Sequence, residues 1–425
     1  MERTTKGGLY LDFALYGVSA VFAIATALWS TLEPHRVWGG MATGGYLPAA
    51  LLTLMLLFRY AVPVVTRMWI TVAAAVAVTL MPLVGEAAQR AAGVAAMAQE
   101  EVLVVESGGV RLLETGSPYL SLAEIAKLPD ALLGYNPYQP GMSVFGLPRA
   151  LFGQNFLTDA RIWFAVATLA ATLAALTMLR RAGLTRGAWV RGLQAVGVLP
   201  ICALTLATGG DDLPVVALCL LAFACVATGR FTGAGFAIGG AAALKLLAWP
   251  VLIVVLVLAF KRGRLLPLAL PALALPLGTL APILITHPAE YFANVIQFPL
   301  GNGLVASPAA SPLPGHLIAA HLPSGRVFAI ALLVLAGAAV GWLVLARPPA
   351  TAFRAAGLSA VGLLAAILLL PATRFGYLLY PAVFGVWWWV LKQIEAPASQ
   401  WGPHTDPASE GTEGTETAGD TRWSR

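Results

Sequence analysis

Apolar residues run through this chain in stretches of about twenty, with few polar interruptions and no one-sided stripe of the kind a soluble helix shows. A helix crossing about 30 Å of hydrocarbon needs roughly 20 apolar residues. That ruler places spans near 9–31, 45–63, 68–85, 160–179, 188–207, 212–228, 232–260, 265–286, 325–346, 353–371 and 375–392. The expected fold is therefore all-α: a polytopic integral membrane protein of about eleven to twelve transmembrane helices. The basic residues fall in clusters between these stretches: Arg3 and Lys6, Arg59 and Arg67, Arg180 to Arg191, Arg230, Lys261 to Arg264, Arg347 and Arg354, and Lys392. Positive charge marks cytoplasmic loops. Both termini are then cytoplasmic in a multi-pass protein of the cell membrane. The first stretch is too long for a signal-peptide core and has no small-residue cleavage site, so it is read as a retained span.

The stretch 232–260 breaks the alternation, because both of its ends carry the basic signal. Its 29 residues would reach about 43 Å as one helix, long for one crossing and short for two. Lys245 sits near its middle, followed by Trp249-Pro250. The pattern predicts a broken or re-entrant pair of short helices meeting at Lys245 to Pro250, with one strongly tilted helix as the alternative. Irregular backbone at that depth is tolerated only where protein or a wet cavity covers it.

Composition narrows the function classes. Hydrophobic residues make up 59% and charged residues 11% of the 425, against about 25% charged in soluble domains. The net charge of +6 is accounted for by the loop clusters, which argues against nucleic acid as a partner. Cys202, Cys219 and Cys225 lie inside apolar runs and lack the spacing of a zinc site or a disulfide framework. His287, His316 and His321 lack helical metal spacing. No cofactor is called for, and the sequence leaves the need for a divalent metal open.

Four regions follow: N-terminal transmembrane helices (1–85), a long outer segment (86–159), a transmembrane core (160–392) with a second outer loop (287–324), and a cytoplasmic tail (393–425) too poor in apolar residues to fold. The 86–159 segment holds Glu86, Glu100, Glu101, Glu106, Glu114, Glu124 and Asp130 before Asp159. Its apolar patches predict interfacial helices. Loops of this length in a compact membrane protein are usually functional or disordered.

With so little charge in the chain, acids and bases near the outer face are the candidates for chemistry. Glu101 and Glu106 flank Val102 to Val105 and lie about 140° apart on a helix, so one at most faces a cleft. As an alternative, both are solvated acids of an interfacial helix. Gly134-Tyr-Asn-Pro-Tyr-Gln-Pro-Gly141 predicts an extended turn presenting Tyr135 and Tyr138, for sugar stacking or for the membrane interface. Thr208-Gly-Gly-Asp-Asp212 is a tight turn with two acids near hydrocarbon. One of them suits a helix cap, and the cap leaves the other unexplained. Lys245 at mid-membrane needs an anionic partner, a carboxylate or a lipid phosphate, unless it snorkels. Arg374 is a second cation at an outer span boundary.

These motifs resemble GT-C membrane glycosyltransferases, and more narrowly glycosyltransferase family 87 (domain of unknown function 2029). The likeness rests on an acid–x–x–Val segment with Gly116 and Pro118-Tyr119 following Glu101. It extends through Gly209-Gly-Asp-Asp-Leu-Pro214, Ala243-Leu-Lys245 followed by Pro250, and Pro371-Ala-Thr-Arg-Phe-Gly-Tyr-Leu-Leu-Tyr-Pro381, and so spans about residues 99–381. The resemblance implies a GT-C-like bundle. It also implies inverting transfer of a hexose, often mannose, from a polyprenyl-phosphate donor to a lipid-linked or cell-envelope glycan acceptor at the outer face. Glu101 falls where that family usually has Asp as general base, and Glu106 stands as the substitute. The catalytic loop commonly follows the first span there; here it follows the third. Asp211 and Asp212 would then orient hydroxyls, Lys245 and Arg374 would meet the donor phosphate, and Tyr119, Tyr135 and Tyr138 would line the sugar site. The expected partners are donor, acceptor and membrane lipids. A transporter or lipid flippase would share the broken helix and intramembrane lysine. A non-catalytic envelope scaffold is a third class, in which replacing Glu101 leaves function intact.

Overall fold

The protein is described here from a computed structural model, in which residues 2, 4–94 and 96–395 are placed. All but the first three residues of the expected tail lie outside the described residues. The opening helices α1 (Lys6–Trp29) and α2 (Glu33–Leu57) form an antiparallel hairpin, and α3 (Val64–Ala91) follows. Pro82 inside α3 has no N–H to give the Val78 carbonyl. The helix widens to a π-turn over Val76–Leu80, and the Trp38 indole N–H donates to Val78 O at 2.8 Å. An interior proline is thereby satisfied from a neighbouring helix.

The next helix, α4 (Glu100–Thr115), lies in the long polar segment and is followed by several short helical turns. The core then runs α5 (Ala160–Arg181), α6 (Arg186–Gly197), α7 (Pro200–Thr208), α8 (Asp212–Ala227), α9 (Phe231–Leu244), α10 (Trp249–Lys261) and α11 (Leu265–Thr286). After the second polar segment come α12 (Gly325–Ala346), α13 (Ala352–Leu369) and α14 (Leu379–Glu395). Among the described residues there is no strand, only one bridge between Ala310 and Thr373.

Seven of these helices are long and apolar enough to cross a membrane, and an eighth span forms if α6 and α7, bent by 47° at Pro200, count as one. The protein is thus an all-α, multi-pass membrane protein. The other three expected stretches are shorter in the structure. Helix α8 has 16 residues, 232–260 divides into α9 and α10, and α14 has 17 residues. The 20-residue ruler assumes lipid on the outside. Helix α8 instead sits at the centre, packed by α5, α9, α13 and α14 and buried along nearly its whole length.

The break in 232–260 falls at Lys245, whose backbone is extended (φ −150°, ψ 143°) between α9 and a short turn leading into α10. The carbonyls it frees find partners. Trp249 Nε1 donates to Ala242 O at 3.1 Å, and Gln139 N donates to Leu244 O at 3.1 Å. Protein therefore covers the irregular backbone, as hydrocarbon depth requires. Helix α9 packs on α11 through Gly235 and Gly239; a side chain at Gly239 would come within 2.8 Å of the Ala272 carbonyl.

Candidate active site

The chemistry gathers where α7 meets α8. Gly209 ends α7 in the left-handed region (φ 107°), and a side chain there would run into Val102 of α4. Only glycine lets the turn lie against that helix. Asp211 stands at the cap position of α8, yet its side chain accepts nothing from the helix. It accepts instead from Lys245 Nζ at 2.7 Å, and Asp212 accepts from the same ammonium at 2.5 Å. Tyr380 OH donates to Asp212 Oδ1 at 2.8 Å. This explains both acids, which a cap alone does not. Two carboxylates, one of them also bound by a phenol, hold a lysine at the end of a broken helix, where an unpaired charge would be expensive. Asp211 Oδ2 is buried and has no partner among the described residues.

A second pair stands on α4. Arg374 donates to Glu101 and lies 4.0 Å from Glu100. The segment carrying Arg374 is held by the second polar segment. Ser311 N donates to Thr373 O (2.9 Å), Thr373 N to Ala309 O (2.8 Å), and His316 Nδ1 contacts Pro371 O at 3.0 Å. Between the two pairs lies Tyr138, whose ring is 5.2 Å from Lys245 Nζ; the Tyr377 ring is 5.8 Å from the same ammonium. Burial pushes the Tyr138 phenol well above its ordinary range. Asp211 and Glu101 push the same way and Arg374 opposes them, so all three charges are felt at one ring.

Glu106 goes elsewhere. The roughly 140° between it and Glu101 sends it to a buried network on the far side of α4. There Arg90 donates to both its oxygens (2.8 and 2.7 Å), Ala160 N donates at 3.1 Å, and Arg149 Nε pairs at 3.0 Å. Arg90 and Arg161 also hold Asp159, and Arg161 reaches Glu86 at 3.1 Å. Three hydrogen bonds and a further ion pair engage this carboxylate, whose side chain is buried away from the Lys245 and Arg374 pairs.

The expected outward tyrosine turn is folded in. Tyr135 is 1% and Tyr138 7% exposed. Asn294 accepts from Asn136 N at 2.8 Å, Tyr119 OH donates to Tyr138 O at 2.7 Å, and Gly141 lies where a side chain would come within 2.6 Å of Ala243 O. Tyr135 stacks on Phe298 at 4.1 Å, and Tyr119 packs edge-on against Tyr291 at 5.9 Å. Both serve as pillars of the turn, and Tyr138 alone of the three borders the charged pairs. Tyr377, Tyr380 and the contact between His35 and Gln99 were not foreseen. The two tyrosines stand three apart in the Pro371–Pro381 motif, a helical spacing that was available to be read. His35, at the start of a span, carried no signal. Among the described residues, no group of three or more His, Cys, Asp or Glu side chains is placed to hold a metal ion.

The profile of glycosyltransferase family 87 matches residues 136–371, more than half of the chain. The chain belongs to glycosyltransferase family 87. No curated protein and no solved structure matches it. The family 87 region takes in Tyr138, Asp211, Asp212 and Lys245; Arg374 lies three residues past its end, and Glu101 lies 35 residues before its start, outside the match. Membership makes the chain a membrane glycosyltransferase, acting on a sugar donor and an acceptor, in place of a transporter or scaffold.

Proposed function

We propose that this family 87 enzyme moves a hexose, with mannose the first to try, from a polyprenyl-phosphate donor to a lipid-linked or cell-envelope acceptor, with inversion, at the outer face of the cell membrane. The observation that carries this reading is the pairing of two buried or half-buried cations with acids around one tyrosine, Lys245 with Asp211 and Asp212, and Arg374 with Glu101. A phosphodiester entering at the break in the helix competes with the carboxylates for those cations. A lipid donor accounts for a site built at membrane depth.

In the step proposed, the acceptor oxygen attacks the anomeric carbon from the face opposite the phosphate. Glu101 takes its proton, and the bond from the anomeric carbon to the phosphate oxygen breaks with its electron pair staying on that oxygen. Phosphate charge thus grows from one to two, and Lys245 and Arg374 stabilise the increase. Displacement of Arg374 towards the phosphate frees Glu101 to act as base. Asp211 Oδ2, unpartnered, is the acceptor assigned to a sugar or acceptor hydroxyl.

The test is transfer from radiolabelled polyprenyl-phosphate mannose by membranes holding equal amounts of wild type, Glu101→Gln and Glu106→Gln. Loss of about a hundredfold or more is expected for Glu101→Gln, with Glu106→Gln active in proportion to its folded fraction. Activity surviving Glu101→Gln would move the base to Asp211. Inactive wild type with mannose but activity with another polyprenyl-linked sugar would correct the donor.

A further inference from the structure

An open groove lies at the opposite end of the bundle from these charges. It holds about 820 Å³ and is walled by Leu343, Leu358, Val361 and Trp388, with Arg347 and Arg354 at its rim. The wall is the seam between α12, α13 and α14. Arg354 and Val361 are seven residues apart, so the groove extends about 10 Å along α13. Its depth comes from missing side chains. Gly357 makes room for Trp388, whose ring would stand 2.9 Å from a Cβ there, and a Cβ at Gly385 would meet nothing within 4 Å. Helix α12 is only 11% buried over its apolar window, so the groove opens on a helix that otherwise faces lipid.

The rim is cationic, and its arginines are unpaired among the described residues. Among the described residues, neither the Arg347 nor the Arg354 guanidinium has a hydrogen bond or an ion pair; Arg354 lies 5.9 Å over the Phe353 ring. Lys392 sits 5.4 Å over the ring of Trp388, the residue that walls the groove. The nearby acid Glu395 is occupied, by Arg262 at 3.0 Å and by Phe353 N at 2.9 Å. An apolar slot beside a lipid-facing helix, under a collar of cations, matches an acyl chain beneath an anionic headgroup.

We propose that this groove is a binding site for one anionic phospholipid, its phosphate held by Arg347 and Arg354 and one acyl chain laid between α12, α13 and α14. The site is separate from the glycosyl-transfer centre, and it grips the two helices whose far ends lead into Arg374 and Tyr380. The lipid therefore also braces the frame that carries those residues.

Native mass spectrometry of the full chain, purified in mild detergent and titrated with phosphatidylglycerol or phosphatidylcholine, tests this. Wild type should retain one phosphatidylglycerol and bind it about tenfold or more tighter than phosphatidylcholine. Arg347→Gln/Arg354→Gln should lose that preference. Gly385→Phe, whose new Cβ meets nothing within 4 Å and whose ring would fill the groove, should lose retention while migrating as a folded monodisperse species. Arg264→Gln, at the same end but outside the groove, should bind like wild type. Equal binding of the two lipids by wild type, undiminished retention in Gly385→Phe, or an equal loss in Arg264→Gln would overturn the proposal.

Discussion

Glu106 shows how a charged residue in this family 87 chain can be indispensable without touching substrate. Its carboxylate accepts from Arg90 and the Ala160 amide and pairs with Arg149 in a buried network that also takes in Asp159, Arg161 and Glu86. Removing one partner of such a network strands the others, at roughly 3–5 kcal/mol. Glu106→Gln should lower the melting temperature in detergent well below that of Glu101→Gln, whose site is half-open. Asp159 adds a pH signature. Burial alone would raise its carboxyl, but hydrogen bonds and charge from Arg161 and Arg90 outweigh burial and hold it below the ordinary value. Its contribution is therefore full above the unfolded value of about 3.9 and drains away as pH falls below that. Thermal melts between pH 7 and pH 3 should show this loss, and Asp159→Asn, less stable at pH 7, should flatten it. At this scale the charged residues were legible, because few sequence positions could carry chemistry. What sequence could not show is which acids face which cations. Lys245 meets Asp211 across 34 positions and Arg374 meets Glu101 across 273.

Backbone proximity decides how the elements present those residues. Helix α4 crosses the turn at 140–146 so closely that a side chain at Gly146 would strike the Val105 carbonyl, and one at Gly109 would lie 2.7 Å from Gly146 O. Gly146→Ala must push α4 away, and Glu101 moves with it. The expected result is transfer lowered at least tenfold with the protein still inserted, because misplacement of about 1 Å can reduce catalysis a hundredfold. Gly337→Ala on α12, with nothing within 4 Å of the new methyl, should leave activity and melting temperature unchanged. An unaffected Gly146→Ala would show that α4 does not need this contact. Sequence reading located the break at Lys245 because a lysine and a Trp-Pro pair interrupt an apolar run. It placed α8 at 212–228 but read it as one more span, since hydropathy cannot tell lipid from protein as a covering. It also took the Gly- and Pro-rich turn at 134–141 as outward-facing, whereas Asn294, 158 positions away from Asn136, pins it inward.

For the whole molecule, the two ends of the bundle divide the work. One end carries paired cations and acids; the other carries cations in excess and the groove proposed to hold a lipid. On the positive-inside rule the second end would be cytoplasmic and the proposed transfer would take place outside, where a lipid-borne donor would replace a nucleotide sugar. Cysteine labelling decides this directly, since Cys202, Cys219 and Cys225 are buried and contribute little background. Ala306→Cys lies in the segment leading to the Ala309–Thr373 contact, and Arg264→Cys lies between α10 and α11; both positions are exposed. A membrane-impermeant maleimide should label Ala306→Cys in intact cells and reach Arg264→Cys only after permeabilisation. The reverse pattern would place the acids and cations in the cytoplasm. The donor would then have to present its sugar on that side, and transfer to an outer acceptor would be ruled out whatever the effect of Glu101→Gln.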